Sequence, residues 1–183
     1  MTHPDTFVQL THKGVGLFAG RSFKRGEILW LIDDFDVKIP ISQYTALSGP
    51  LREKLDVYTY MDFKHRVIVP WDDGKYVNHS CDPNATGLLQ FDNLTIALCD
   101  IEQGEEIVEN YNSFFAHFET FDCACGTFHC EGKITSAEAY RPELRIDLNK
   151  IKNLILSMDQ YLLKFRTNEN SDFLDLLGLT EIV

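Results

Sequence analysis

Asn78-His79-Ser80-Cys81-Asp82-Pro83-Asn84 is too polar for a strand and closes on Pro-Asn, a pair suited to turns. It gathers carboxamides, an imidazole, a thiol and a carboxylate into one tight segment. Asn78 and Asn84 could serve as turn caps, and a lone histidine such as His79 is more often structural than functional. Cys81, in contrast, is placed to meet a partner from elsewhere in the chain.

Outward from this turn the pattern is of short strands broken by Gly, Pro and Asp/Asn. Val15–Ala19, Ile28–Ile32, Arg66–Val69, Gly87–Phe91 and Leu94–Cys99 read as strands. Asp92-Asn93 between the last two predicts a two-residue hairpin turn. Phe23 to Glu27 reads as a turn, and residues 41–57 as one or two short helical turns. Beyond residue 135 the character changes. Thr135-x-x-Glu138 fits a capping box and Pro142 the first turn of a helix. Leu144, Leu148, Ile151, Ile155, Met158, Leu162 and Phe165 then form a heptad stripe. Packing against its own domain is the simpler fate of that stripe; a homodimer seam through a 142–166 helix is the alternative.

Five cysteines are present: Cys81, Cys99, Cys123, Cys125 and Cys130. An odd count without an export signal argues against a disulfide framework. Cys123-x-Cys125-x4-Cys130 instead offers three thiolates to a metal, and a structural zinc needs four ligands. Cys81, Cys99, His117 and His129 are the candidates for the fourth, Cys81 slightly ahead on spacing. Cys99 ends a strand and is expected to pack as a small apolar residue.

The 183 residues, 44% hydrophobic and 25% charged, suit one domain with a real core and an appendage. No apolar run is long enough to span a membrane, and Met1-Thr-His-Pro-Asp is no signal peptide, so an intracellular place, cytoplasmic or nuclear, is expected. With 28 acidic and 17 basic residues the net charge is −11, which disfavours direct nucleic-acid binding and favours a Lys/Arg-rich protein or peptide partner.

The turn at 78–84 resembles the NHSCxPN motif of SET-domain protein lysine methyltransferases. Lys13-Gly14-Val15-Gly16-Leu17-Phe18-Ala19, Arg25-Gly26-Glu27-Ile28, and Asp100-Ile101-x-x-Gly104-Glu105-Glu106-Ile107 with Tyr111 are similar to the family's other segments, in the same order. Cys123-x-Cys125-Gly126-x3-Cys130-x-Gly132 resembles its post-SET knuckle. The resemblance implies a mainly β fold of several small sheets with a threaded, knot-like C-terminal segment. It divides the chain into a SET domain at 7–112, a post-SET zinc knuckle at 113–135 and a helical extension at 136–183.

The implied activity is methyl transfer from S-adenosylmethionine to a lysine amine of a histone or other basic protein; a SET-like peptide-binding module without turnover is the alternative. By the same resemblance Tyr111 is catalytic, Gly14, Val15, Gly16, Asn78 and His79 hold the cofactor, and Cys81 joins Cys123, Cys125 and Cys130 on a structural zinc. Glycine at 14 and 16 suits close approach of backbone to a cofactor. The sequence departs from the family at Glu109, where an aromatic residue normally lines the lysine channel. A buried unpaired carboxylate is costly, so Glu109 is expected to point away, with Tyr58 or Tyr60 forming the wall. The other arrangement has Glu109 facing the channel and limiting the number of methyl groups added. Glu131 stands where the family has an arginine, and Cys99 where it is commonly basic.

Overall fold

Strand-forming runs of only a few residues, punctuated by turn formers, give small sheets and not one large one. The computed structural model describes residues 1–114, 120–134 and 141–179. Its strands in chain order are β1 (Thr6–Thr11), β2 (Gly14–Ala19), β3 (Ile28–Leu31), β4 (Val37–Pro40), β5 (Tyr60–Met61), β6 (Arg66–Val69), β7 (Asn78–His79), β8 (Ala85–Thr86), β9 (Leu94–Ala97), β10 (Glu106–Glu109), β11 (Phe121–Asp122) and β12 (Lys133–Ile134). Helices α1 (Ile41–Tyr44) and α2 (Gly49–Tyr58) occupy the predicted 41–57 segment, and α3 (Leu148–Leu156) and α4 (Ser171–Leu177) belong to the tail.

The sheets run β1-β2-β10-β7, β3-β9-β8, β4-β6-β5 and β11-β12. β1 and β2 form a hairpin in register from Thr6↔Ala19 to Thr11↔Gly14. β10 lies antiparallel to β2 and parallel to β7, with Val108↔Asn78 and Glu109↔His79 as partners. This parallel pair brings the polar turn against the segment carrying Glu109 and Tyr111.

Two apolar clusters hold the sheets. One joins β2, β8 and β10 through Leu17, Ala85 and Ile107. The larger unites Ile28, Leu94 and Ile96 with Leu148, Ile151, Ile155, Leu162 and Phe173 of the tail. The middle of the heptad stripe, Leu148, Ile151, Ile155 and Leu162, is therefore buried within its own chain, and the predicted 142–166 helix is not continuous. A 3-10 turn at Pro142–Leu144 precedes α3, which stops before a second 3-10 turn at Tyr161–Lys164. Gln160, in the connection between them, ties the tail to β3: its buried side chain accepts from Ile28 N and donates to Gly26 O, both at 2.9 Å, and also donates to Ile155 O of α3 at 3.2 Å. Leu148, Ile151, Ile155 and Leu162 thus face inward and cannot serve a homodimer seam, while Phe165 at the end of the stripe is 40% exposed. Thr135 and Glu138, the expected capping box, lie outside the described residues.

The predicted hairpin at Asp92-Asn93 also differs. β9 pairs with Ala85–Thr86, not with Gly87–Phe91. The segment after β8 is diverted to the tail, where Leu88 bridges Ile146 and Leu89 N donates to Ile146 O at 3.0 Å. Asp92 and Asn93 are buried anchors: Asp92 Oδ2 accepts from Phe63 N, and Asn93 Oδ1 accepts from Tyr60 Oη at 2.7 Å. Arg145 is buried here as well, donating to Ser113 O and Leu88 O and lying over the rings of Phe63 and Phe114.

Candidate active site and metal centre

The carboxamides of the polar turn fasten it to β10 and β2. Asn84 Nδ2 donates to Glu106 O at 2.8 Å and its Oδ1 accepts from Val108 N at 2.9 Å, imitating a strand neighbour. Asn78 Nδ2 donates to Val15 O at 3.1 Å and to Glu106 Oε1 at 2.8 Å, while Lys13 Nζ meets Glu106 Oε2 at 2.8 Å. These groups crowd β2 so closely that a Cβ on Gly16 would meet Glu106 Oε1 at 2.6 Å and Asn78 Nδ2 at 3.0 Å. A side chain at 16 would thus displace the Glu106 carboxylate and the Asn78 carboxamide, and at 14 a φ of +110° favours glycine.

A cavity of about 740 Å³ is lined by residues of all four sheets. Gly14, Val15, Asn78, Tyr58, Tyr60 and Tyr111 line it; Gly16 and His79 are not among its lining residues. Tyr111 donates its hydroxyl to Val77 O at 2.8 Å. Burial, then the nearby carboxylates of Glu109 and Glu106, push its pKa up, so the phenol stays protonated at any working pH. His79 is buried, and burial lowers its pKa to about 4, so it is neutral. Its Nδ1 accepts from Tyr111 N at 3.2 Å, which leaves the proton on Nε2, 3.4 Å from Cys81 Sγ.

Glu109 overturns the expectation that it points away. It lines the cavity while only 4% exposed, and its Oε1 has no hydrogen-bond partner among the described residues. Burial raises its pKa to about 7, against a Thr95 hydrogen bond and the charge of Arg145. Tyr58 and Tyr60 share the wall with it and do not replace it. Trp30, Asp92 and Thr95 also line the cavity, and no sequence signal singles them out. The diverted loop after β8 carries Asp92 and positions the tail's Arg145, and only the three-dimensional structure brings them here.

The sulfurs of Cys81, Cys123, Cys125 and Cys130 lie within 4.8 Å of one another. Cys81 and Cys123 are 3.8 Å apart, close to the ~3.8 Å edge of a tetrahedron with Zn–S bonds of about 2.3 Å. Backbone N–H groups of Glu131, Cys125 and Gly132 point at Cys81, Cys123 and Cys130 sulfurs at 3.3 to 3.5 Å, an arrangement that favours thiolates. The donor set therefore fits zinc. Cys99 lies outside the group and is exposed, not packed as expected. His129 is paired with Asp82 at 2.9 Å, and His117 lies outside the described residues. Glu131 accepts from Arg141 at 2.6 Å. Phe121 of β11 lies 6.1 Å from both the Tyr111 and His79 rings, seating the knuckle on the site.

The SET domain, as a protein family, matches residues 14–112, a span holding every segment that shapes this cavity except the knuckle and tail. The chain belongs to the SET-domain family of protein lysine methyltransferases. The SET segments and the four-cysteine cluster together are consistent with a post-SET zinc site. The chain is 30% identical over 139 residues to a variant-silencing SET domain-containing protein of Plasmodium falciparum, covering 69% of this chain and 5% of that one. It is 31% identical over 144 residues to histone-lysine N-methyltransferase NSD3 of Mus musculus, covering 71% and 10%. The match thus spans a small part of either relative. The SET fold is shared with KRYPTONITE, solved with mCHG DNA and SAH (TM-score 0.50, 16% identity, 69% of this chain and 28% of that one). It is also shared with the methyltransferase domain of human SETMAR (TM-score 0.50, 17% identity, 74% and 59%). No helix among the described residues is long and apolar enough to cross a membrane.

Proposed function

We propose that this chain is a protein-lysine N-methyltransferase that uses S-adenosylmethionine and carries a structural zinc on Cys81, Cys123, Cys125 and Cys130. The observation that carries the proposal is the half-buried Tyr111, its hydroxyl fixed on Val77 O at 2.8 Å in the wall of a cavity that Gly14, Val15 and Asn78 also line.

The cofactor supplies, when bound, an electrophilic methyl group on a sulfonium. Gly14 and Val15 present backbone to it, with no Cβ in the way at Gly14, Gly16 leaves room for Glu106 and Asn78 beside it, and Asn78 offers its carboxamide. His79 acts from behind, holding the Tyr111 backbone while contributing main-chain groups of its own. Tyr111 orients the acceptor nitrogen; holding two reactants in line is the larger part of catalysis for a displacement of this kind. The cavity wall excludes water, which favours the neutral form of an entering lysine.

The target is a Lys/Arg-rich segment of a histone or other basic protein, in keeping with a net charge of −11 and with the 31% identity to a histone-lysine N-methyltransferase. A histone target would place the work in the nucleus. Incubation with labelled cofactor and core histones or a whole lysate, followed by mass spectrometry, tests this. Labelled methyl-lysine is the expected result. Cofactor binding without transfer to any protein would overturn it in favour of a binding module.

A further inference from the structure

Glu109 combines three properties that ordinary structural carboxylates lack. It is 4% exposed, it lines the cavity that Tyr111 lines, and one of its oxygens has no hydrogen-bond partner among the described residues. A buried acceptor without a donor is destabilising unless a ligand completes it. The neighbours in the cavity have their own bonds: Tyr111 donates to Val77 O, Tyr60 to Asn93 Oδ1, and Asp92 Oδ2 accepts from Phe63 N. Among the described residues two lining side chains keep a buried polar atom without a partner, the donor Trp30 Nε1 and the acceptor Glu109 Oε1, and of the two only Glu109 Oε1 can meet a donor entering the cavity.

We propose that Glu109 is a catalytic base of this enzyme: its carboxylate receives the target ammonium and takes a proton from it. The proposal rests on the methyltransferase reading given above. In the step, one N–H bond breaks, its electron pair stays on nitrogen, and the proton moves to the carboxylate oxygen. The amine is left neutral with a lone pair, and the carboxylic acid returns its proton to solvent after the product departs. A lysine ammonium titrates near 10.4 and an ordinary glutamate near 4.3, so a surface glutamate is a poor base toward it. Burial raises Glu109 to about 7, which narrows that gap from about six pH units to about three. Removal of the ammonium from water narrows it further.

The charged and titratable groups around Glu109 fit this role. The charge of Arg145 from the tail lowers its pKa, Tyr111 is held protonated, and His79 on the paired strand is neutral. Asp92, raised to about 6, is the rival acid in the same cavity.

Glu109→Gln keeps the size and removes the basic oxygen. In the full chain, the first measurement is calorimetry of a Lys-containing histone peptide without cofactor, at pH 7 in buffers of different ionisation enthalpy. The wild type should release a fraction of a proton on binding, as the acid ionises to meet the ammonium, and E109Q none. The second is the pH–rate profile: kcat should fall by about 10²-fold or more in E109Q, and the acidic limb of kcat/KM near pH 7, which reports the free enzyme, should vanish, with rate recovering as pH rises. Equal proton release, or an unchanged profile in an active E109Q, overturns the role of Glu109 alone. So does a limb that survives in E109Q and disappears in Asp92→Asn. A folded wild type that methylates nothing overturns the function proposed above and this role with it. Thermal melting of E109Q at pH 5, where the wild-type group is protonated, checks that the variant is folded.

Discussion

His79 Nδ1 accepts the backbone N–H of Tyr111 at 3.2 Å, so the polar turn holds the tyrosine by its main chain while Val77 O holds it by its hydroxyl. Two restraints on one residue, both from the segment 77–79, fix the phenol in place. The same imidazole reaches Cys81 Sγ at 3.4 Å, which connects the metal centre to the tyrosine through a single ring.

His79→Ala should therefore leave a buried N–H at Tyr111 without its acceptor. The expected cost is about 1–3 kcal/mol of stability, with turnover down by tenfold or more. Urea unfolding and single-turnover kinetics measure the two effects.

Tyr111→Phe removes the hydroxyl and leaves the ring packed against Phe121. Turnover should fall by about 10²-fold or more, as for loss of one positioned polar group, with cofactor affinity nearly unchanged. Rapid-quench kinetics alongside calorimetry of the cofactor separates the two.

Metal analysis should find one zinc per chain in the wild type and in Cys99→Ser, and a deficit in Cys81→Ser. A chelator should lower the melting temperature of the first two and barely affect the third. The sulfur cluster within 4.8 Å and the exposed, distant Cys99 are the grounds.

Ile155 is fully buried in the larger core. Ile155→Asp should destabilise by roughly 2–5 kcal/mol, through the lost apolar contact and the buried charge. Sedimentation should show the wild type and any folded variant as monomers.

The raised pKa of Glu109 has a stability signature independent of catalysis. The folded state binds its proton more tightly than the unfolded chain. The resulting stabilisation is full below pH 4.5 and is lost as pH rises to about 7. Glu109→Gln should remove that part of the slope, so its stability relative to wild type should rise by roughly 3 kcal/mol between pH 4 and pH 8. Denaturant titrations at the two pH values read it directly.

The parts of this molecule legible in its sequence are those set by local chemistry. Alternating or β-branched runs gave β2, β3, β6 and β9 nearly to the residue, and cysteine spacing with the 78–84 turn anticipated the metal cluster. The rest depended on contacts distant in sequence. Asp92-Asn93 has the chemistry of a hairpin turn, yet the loop is drawn away by Ile146 and by the needs of Phe63 and Tyr60. The stripe from Leu144 to Phe165 has a helical period, yet α3 ends at Leu156, and Gln160 beyond it is tied by its side chain to the start of β3. Glu109 was expected to avoid burial on its own solvation cost; pairing with His79 across the parallel strands fixes which face its side chain takes.

The larger core carries a practical consequence for anyone cutting this chain. The family match ends at residue 112, but Ile28, Leu94 and Ile96 are covered by Leu148, Ile151, Ile155 and Phe173. A fragment trimmed to the match would expose that apolar face and strand edges beside it, a recipe for insoluble protein. It would also remove Arg145, whose guanidinium satisfies the carbonyls of Leu88 and Ser113. Expression boundaries, chimaeras and comparisons of tail sequence among relatives should accordingly treat residues up to 179 as inseparable from the SET domain.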